Sequence, residues 1–112
     1  MTTEPVVVHA SNPNIFAELE LPDAENHFLK AQIVAALYRL VTDRKLNQAQ
    51  AGALMGISQP EVSRLFRGHF REYSVERLMS FLTVFSQDVE IVVRPHAKAG
   101  EAGKITFAAI AP

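Results

Sequence analysis

Hydrophobic residues change period twice along this chain, and each change marks a change of structure. Residues 24–42 contain no glycine or proline, and Leu29, Ile33, Leu37 and Leu40 recur at helical spacing. Phe28, Val34, Tyr38 and Val41 widen that stripe beyond what one small core needs. The stretch therefore reads as a buried central helix, or as one that also meets a second subunit. Asp23 stands where it would cap this helix. After the polar break Asp43-Arg44-Lys45, two short helical patterns follow. Ala51, Leu54 and Met55 mark the first, and Val62, Leu65 and Phe66 the second. Leu78, Phe81, Leu82 and Phe85 then recur at i, i+3, i+4 and i+7, the core face of a further helix opened by Ser74. Beyond Ser86-Gln87-Asp88 the period drops to two. Val89, Ile91 and Val93 alternate with Glu90, Val92 and Arg94, which predicts a strand closed by Pro95. Residues 104–110 alternate again, with Ile105, Phe107 and Ala109 on one side, so a hairpin around the loop 96–103 is expected. A lone hairpin is marginal in water. It must pack on the helices, pair with the N-terminal strand or pair with a second chain.

The N-terminal stretch is less regular. Val6-Val7-Val8 reads as a short strand and Ser11-Asn12-Pro13-Asn14 as a turn. Ile15, Phe16, Leu19 and Leu21 form one or two helical turns before Pro22. So many large apolar groups argue against a disordered tail, and this arm is expected to lie on the domain or on a partner. The resulting division is an arm (1–22), a helical domain (23–87) and a β extension (88–112) that is expected to dimerise.

The centre, Leu46–Gly68, carries the most punctuation. Asn47 with Gln50, and Ser58 with Glu61, are capping-box pairs three residues apart. Gly56 ends the first short helix, where a positive φ is commonly required. Pro60 falls in the first turn of the next, where its missing N–H costs little. Gly52 is a poor helix former, by roughly 1 kcal/mol relative to Ala, but a small residue there lets the following helix cross closely. On a helical projection Leu65 and Phe66 fall within roughly 60° of Val62, and Pro60, Arg64 and Arg67 on the opposite side. Two short helices, a tight turn and an arginine-bearing outer face are the pattern of a helix-turn-helix.

Composition adjusts this reading only slightly. The 112 residues suit one domain, and 48% hydrophobic content suffices for a small core. Absence of cysteine excludes disulfides, thiolate metal sites and thiol catalysis. No apolar run approaches membrane-spanning length and the first residues lack a basic signal region, so a cytoplasmic protein is expected. Net charge is −1, but residues 1–29 hold five acidic and no basic side chains. From Lys30 onward eleven basic residues stand against seven acidic ones. A mildly basic body suits phosphate contact, although charge alone fits an ordinary soluble surface better. His9, His27, His69 and His96 are scattered without metal-ligand spacing, and no nucleophile motif or Gly-rich phosphate loop is present. No catalytic residue, metal or cofactor is expected.

Leu46-Asn47-Gln48-Ala49, Gly56-Ile57-Ser58-Gln59 and Val62-Ser63-Arg64-Leu65 with Gly68 resemble the Cro/C1-type (XRE) helix-turn-helix family. The resemblance implies a mainly α, compact four- to five-helix, lambda-repressor-like domain, here with a C-terminal β-strand or hairpin. A wider resemblance spans residues 11–95. It rests on Asn12-Pro13, Leu21-Pro22-Asp23-Ala24-Glu25, Leu29-Lys30-Ala31-Gln32, Ser74-Val75-Glu76-Arg77-Leu78-Met79 and Asp88-Val89-Glu90-Ile91-Val92-Val93. These look like the antitoxins of host-inhibition-of-growth modules. Such proteins dimerise, repress their own operon and neutralise a RelE/ParE-superfamily toxin. The extension after Pro95 is longer and more strand-like than that family implies. On positions matching the motif, Gln59, Pro60 and Arg64 are the expected base contacts. Gln48, Ser58, Ser63, Arg67 and Arg71 are the expected phosphate contacts. Glu61 could accept from cytosine, but its capping role competes. The expected function is a sequence-specific, DNA-binding repressor acting as a homodimer on double-stranded operator DNA, and the antitoxin of a type II toxin–antitoxin module. The alternative is a stand-alone Cro/C1-type regulator without a toxin.

Overall fold

The computed structural model describes residues 6–8 and 23–110. The expected turn at 11–14 and apolar segment at 15–21 lie outside that set, as do the side chains of 6–8 and of Asp23. Four helices, α1 (Asp23–Asp43), α2 (Gln48–Met55), α3 (Gln59–Phe66) and α4 (Val75–Val84), account for most of the described chain. Strand β1 (Val6–Val8) runs antiparallel to β2 (Ile91–Val93), with Val7 opposite Val92.

Each short helix is bounded by the residues whose chemistry requires it. At α2, the Asn47 side chain accepts from the Gln50 N–H at 2.8 Å, and the Gln50 side chain accepts from the Asn47 N–H at 2.9 Å. Gly56 ends α2 at φ 76°, and the N–H groups of Gly56 and Ile57 both donate to the Gly52 carbonyl. At α3, Ser58 and Glu61 make the second capping box and Pro60 sits in the first turn. Gly68, at φ 101°, follows α3; the N–H of His69 reaches back to the Arg64 carbonyl and that of Gly68 to Leu65. This is a Schellman closure. Ser74 caps α4 by accepting from the Arg77 N–H at 3.0 Å.

The core lies where α1 packs on α4 and α2 packs on α3, with α1 also touching α3. Ile33 and Leu37 of α1, Val62 and Leu65 of α3, and Leu78 with Phe85 at the end of α4 are fully buried. Leu29, Val34 and Val41 complete the α1 face, whereas Leu40 is half-buried and Phe28 and Tyr38 are exposed. The apolar surface of α1 thus exceeds what this core covers. Close crossing of α2 and α3 depends on Gly52. A Cβ there would lie 2.6 Å from the Ile57 carbonyl oxygen and 3.3 Å from Val62 Cγ2. Arg44 ties the end of α1 to the end of α4: its guanidinium donates to the Phe85 carbonyl and lies 5.6 Å from the Phe85 ring centroid.

The β extension forms the single C-terminal strand and the pairing with the N-terminal strand that were among the sequence-based expectations, but not the hairpin. Residues 104–110 form no strand, so the expected C-terminal hairpin is replaced by a single short strand, β2, whose partner is the N-terminal β1. Phe107, expected in the second arm, is half-buried against the helical core instead. Packing on a helical core takes precedence over a hairpin that is marginal alone. The β2 faces also differ: Val89 packs on the core ahead of the strand, while Val93 is exposed.

Candidate nucleic-acid interface

The outer side of α3 is an exposed polar surface whose shape is set from within. Val62 and Leu65 point into the core. The helical step therefore places Pro60, Arg64 and Arg67 outward, and all three are exposed; Gln59, the first residue of α3, is exposed at the end of the helix. Ser63 and Glu61, on the flanks, are half-buried.

Two of the expected contact residues are joined. Gln59 Nε2 donates to Gln48 Oε1 at 2.7 Å, linking the first turns of α2 and α3. A carboxamide has two N–H donors and one acceptor oxygen. With that bond made, Gln59 keeps one N–H and its carbonyl oxygen, the groups a bidentate contact to adenine uses. Gln48 spends only its oxygen, so both its N–H groups remain for an anion.

A second group surrounds the end of α3. Arg64, Arg71, Arg77 and His69 line one open groove of about 460 Å³ with Glu61, Glu72 and Tyr73. Arg64 and Arg71 are thereby brought together, whereas Arg67 lies apart, its Nε donating back to the Ser63 carbonyl at 3.3 Å. The loop carrying Arg71 is anchored from below. Lys30 of α1 is buried, and its Nζ donates to the Arg71 carbonyl at 3.0 Å. Burial, aided by the Arg71 charge, lowers the Lys30 pKa. His27 stacks on the buried Phe70 of the same loop at 4.9 Å between ring centroids.

Ser58 and Glu61 are committed to each other. The Ser58 N–H and hydroxyl both donate to Glu61 Oε1, at 3.3 and 3.0 Å, and the Glu61 N–H donates to Ser58 Oγ at 3.3 Å. These bonds hold the Glu61 carboxyl below its ordinary pKa, with a smaller contribution from the Arg64 charge. Sequence reasoning missed Lys30, Tyr73 and Arg77. The only local signal was the place of Arg77 three residues after the cap Ser74. Among the described residues no group of three or more His, Asp or Glu side chains could hold a metal ion. No described helix is long and apolar enough to cross a membrane.

Comparison with known proteins agrees with this geometry. A family model described as a helix-turn-helix domain matches residues 15–94. A solved structure described as a "Putative XRE Family Transcriptional Regulator" is 40% identical, with a TM-score of 0.74 over 80% of this chain and 100% of its own. No curated protein matches the chain at a significant level. The chain belongs to the helix-turn-helix domain family and is of the XRE type.

Proposed function

We propose that this chain is a sequence-specific repressor that binds its own operator as a homodimer, and that it serves as the antitoxin of a type II toxin–antitoxin module. The coarser part follows from the family: an XRE-type helix-turn-helix protein is a DNA-binding transcriptional regulator. The observation that carries the mechanism is the exposed, capped face of α3 with Gln59 hydrogen-bonded to Gln48. In this motif the second helix enters the major groove with its N-terminal residues toward the base edges. Gln59 then reads adenine, Arg64 reads guanine, and Pro60 offers apolar contact to a thymine methyl. Gln48, Ser63, Arg67 and Arg71 neutralise or bond phosphates. Ser58 joins them only by giving up its bond to Glu61.

One motif makes few contacts, and paired half-sites about one helical turn apart are the usual remedy. The exposed Phe28 and Tyr38 of α1 and the β1–β2 pair are the candidate dimer surfaces. Sedimentation showing only monomer at micromolar concentration, with and without DNA, would count against the dimer. The antitoxin role is supported by the wider resemblance over residues 11–95, with the acidic N-terminal arm suited to a basic partner. A small basic protein from the adjacent reading frame, toxic alone and co-purifying with this chain, is the expected finding. Absence of such a neighbour favours the stand-alone regulator, the reading nearer to the description of the solved relative.

A further inference from the structure

Glu61, like Gln59 at the start of α3, is held from a second element, and here the held group is a carboxylate. Oε1 takes both Ser58 donors, and Oε2 accepts from the Tyr73 hydroxyl at 3.3 Å. Tyr73 belongs to the turn before α4, twelve residues farther along the chain. Its ring is fixed on two sides. The Arg77 guanidinium stands 4.9 Å from the ring centroid, and the buried Phe81 ring meets it edge-on at 5.9 Å. The phenol is thus anchored to the core, and burial and the nearby carboxylate push its pKa up, so it remains a donor at neutral pH.

A carboxylate in the first turn of a recognition helix has two other uses. It can accept from cytosine N4 in the major groove. It can also pair with an arginine three residues on, and here that residue is Arg64. No such pair forms: among the described residues the one salt bridge is His96–Glu101, far along the chain. Both alternatives would alter base reading, the first by adding a contact and the second by withdrawing Arg64 from guanine.

We propose that Tyr73 is a positioning residue for sequence discrimination: by holding Glu61 Oε2 it keeps that carboxylate from cytosine and from Arg64, and leaves Arg64 to read its base. The inference rests on α3 being the recognition helix. It differs from a purely structural role because it acts through Glu61 and not through the fold.

The test is a double-mutant cycle of Tyr73→Phe and Glu61→Ala in the full chain. The wild type first selects a preferred duplex from a randomised library. Each variant is then measured for affinity to that duplex and to random duplex, with thermal unfolding alongside. Tyr73→Phe keeps the ring and its packing. It should cut the selected-to-random ratio about 3- to 10-fold and shift preference at the Arg64 base position. In the Glu61→Ala background the same change should leave the ratio unmoved. Equal losses in both backgrounds, or no loss in either, would overturn the assignment. If Tyr73→Phe fails to fold, Glu61→Ala alone decides: the ratio should hold, and its collapse would mean that Glu61 itself reads DNA. A wild-type chain with no preference overturns the recognition-helix reading, and the role of Tyr73 with it.

Discussion

Replacing Gly52 by Ala sets two effects of known size against each other. Ala is favoured over Gly in a helix interior by about 1 kcal/mol, so propensity alone predicts a more stable protein. The structure predicts the reverse. The added Cβ would lie 2.6 Å from the Ile57 carbonyl oxygen, 3.3 Å from Val62 Cγ2 and 3.5 Å from the Ser58 carbonyl carbon. The nearest atom is backbone and sits in the turn whose Gly56 and Ile57 N–H groups are bonded to the Gly52 carbonyl. It cannot swing aside as a side chain can. Overpacking of this kind costs about 1–3 kcal/mol, occasionally more. Because the clash is with backbone, the upper part of that range applies, and subtracting the propensity gain leaves a net loss of about 1–2 kcal/mol. For a domain of this size each kcal/mol moves the melting temperature by about 4–8 °C. Thermal and urea unfolding of Gly52→Ala against wild type, with the exposed Ala53→Gly as a measure of propensity in the same helix, gives the answer. Gly52→Ala should melt lower by about 4–16 °C and bind DNA less well, since α2 and α3 must separate. A variant as stable as wild type, or more so, would refute the close-crossing argument.

Two further perturbations address the interface. Arg67→Ala should weaken binding to all sequences alike and reduce the salt slope by about one phosphate equivalent; filter binding at several salt concentrations checks this, and a changed sequence preference would argue against a phosphate role. Glu61 is held by its hydrogen bonds below the ordinary carboxyl pKa of 4.5. Its stabilising contribution is therefore complete above that value and is lost as pH falls through the lower native one. Urea unfolding of wild type and Glu61→Gln should show a wild-type advantage at pH 6 that shrinks below pH 4.5; an advantage independent of pH would contradict it.

What the sequence revealed and what it concealed divide along one physical line. Caps and stops depend on residues three or four apart, so Asn47 with Gln50, Ser58 with Glu61, Gly56 and Ser74 could be read directly and each is made as expected. The helical core faces follow from period, and Ile33, Leu37, Val62, Leu65, Leu78 and Phe85 are buried accordingly. The outward placement of Pro60, Arg64 and Arg67 is the complement of that core face. Bonds that depend on how helices meet were not legible. Lys30 to Arg71 and Arg44 to Phe85 each span 41 residues, and Tyr73 to Glu61 spans twelve. The hairpin failed for a related reason. Alternation in 104–110 describes a segment that could be a strand, but not which edge or surface it meets, and Phe107 meets the core. The link between Gln48 and Gln59 lies between these cases: both were expected at DNA, and the packing of α2 on α3 makes them one unit.

If the α3 face reads sequence, Arg64→Ala is the variant that must show it. Wild type and variant are each used to select from a randomised duplex library at a fixed salt concentration. Wild type should enrich a site with two half-sites about one helical turn apart. Arg64→Ala should lose about 1–3 kcal/mol on that site and relax preference at one base position of each half-site. Equal losses on the selected site and on random DNA, or no enrichment by wild type at all, would contradict it.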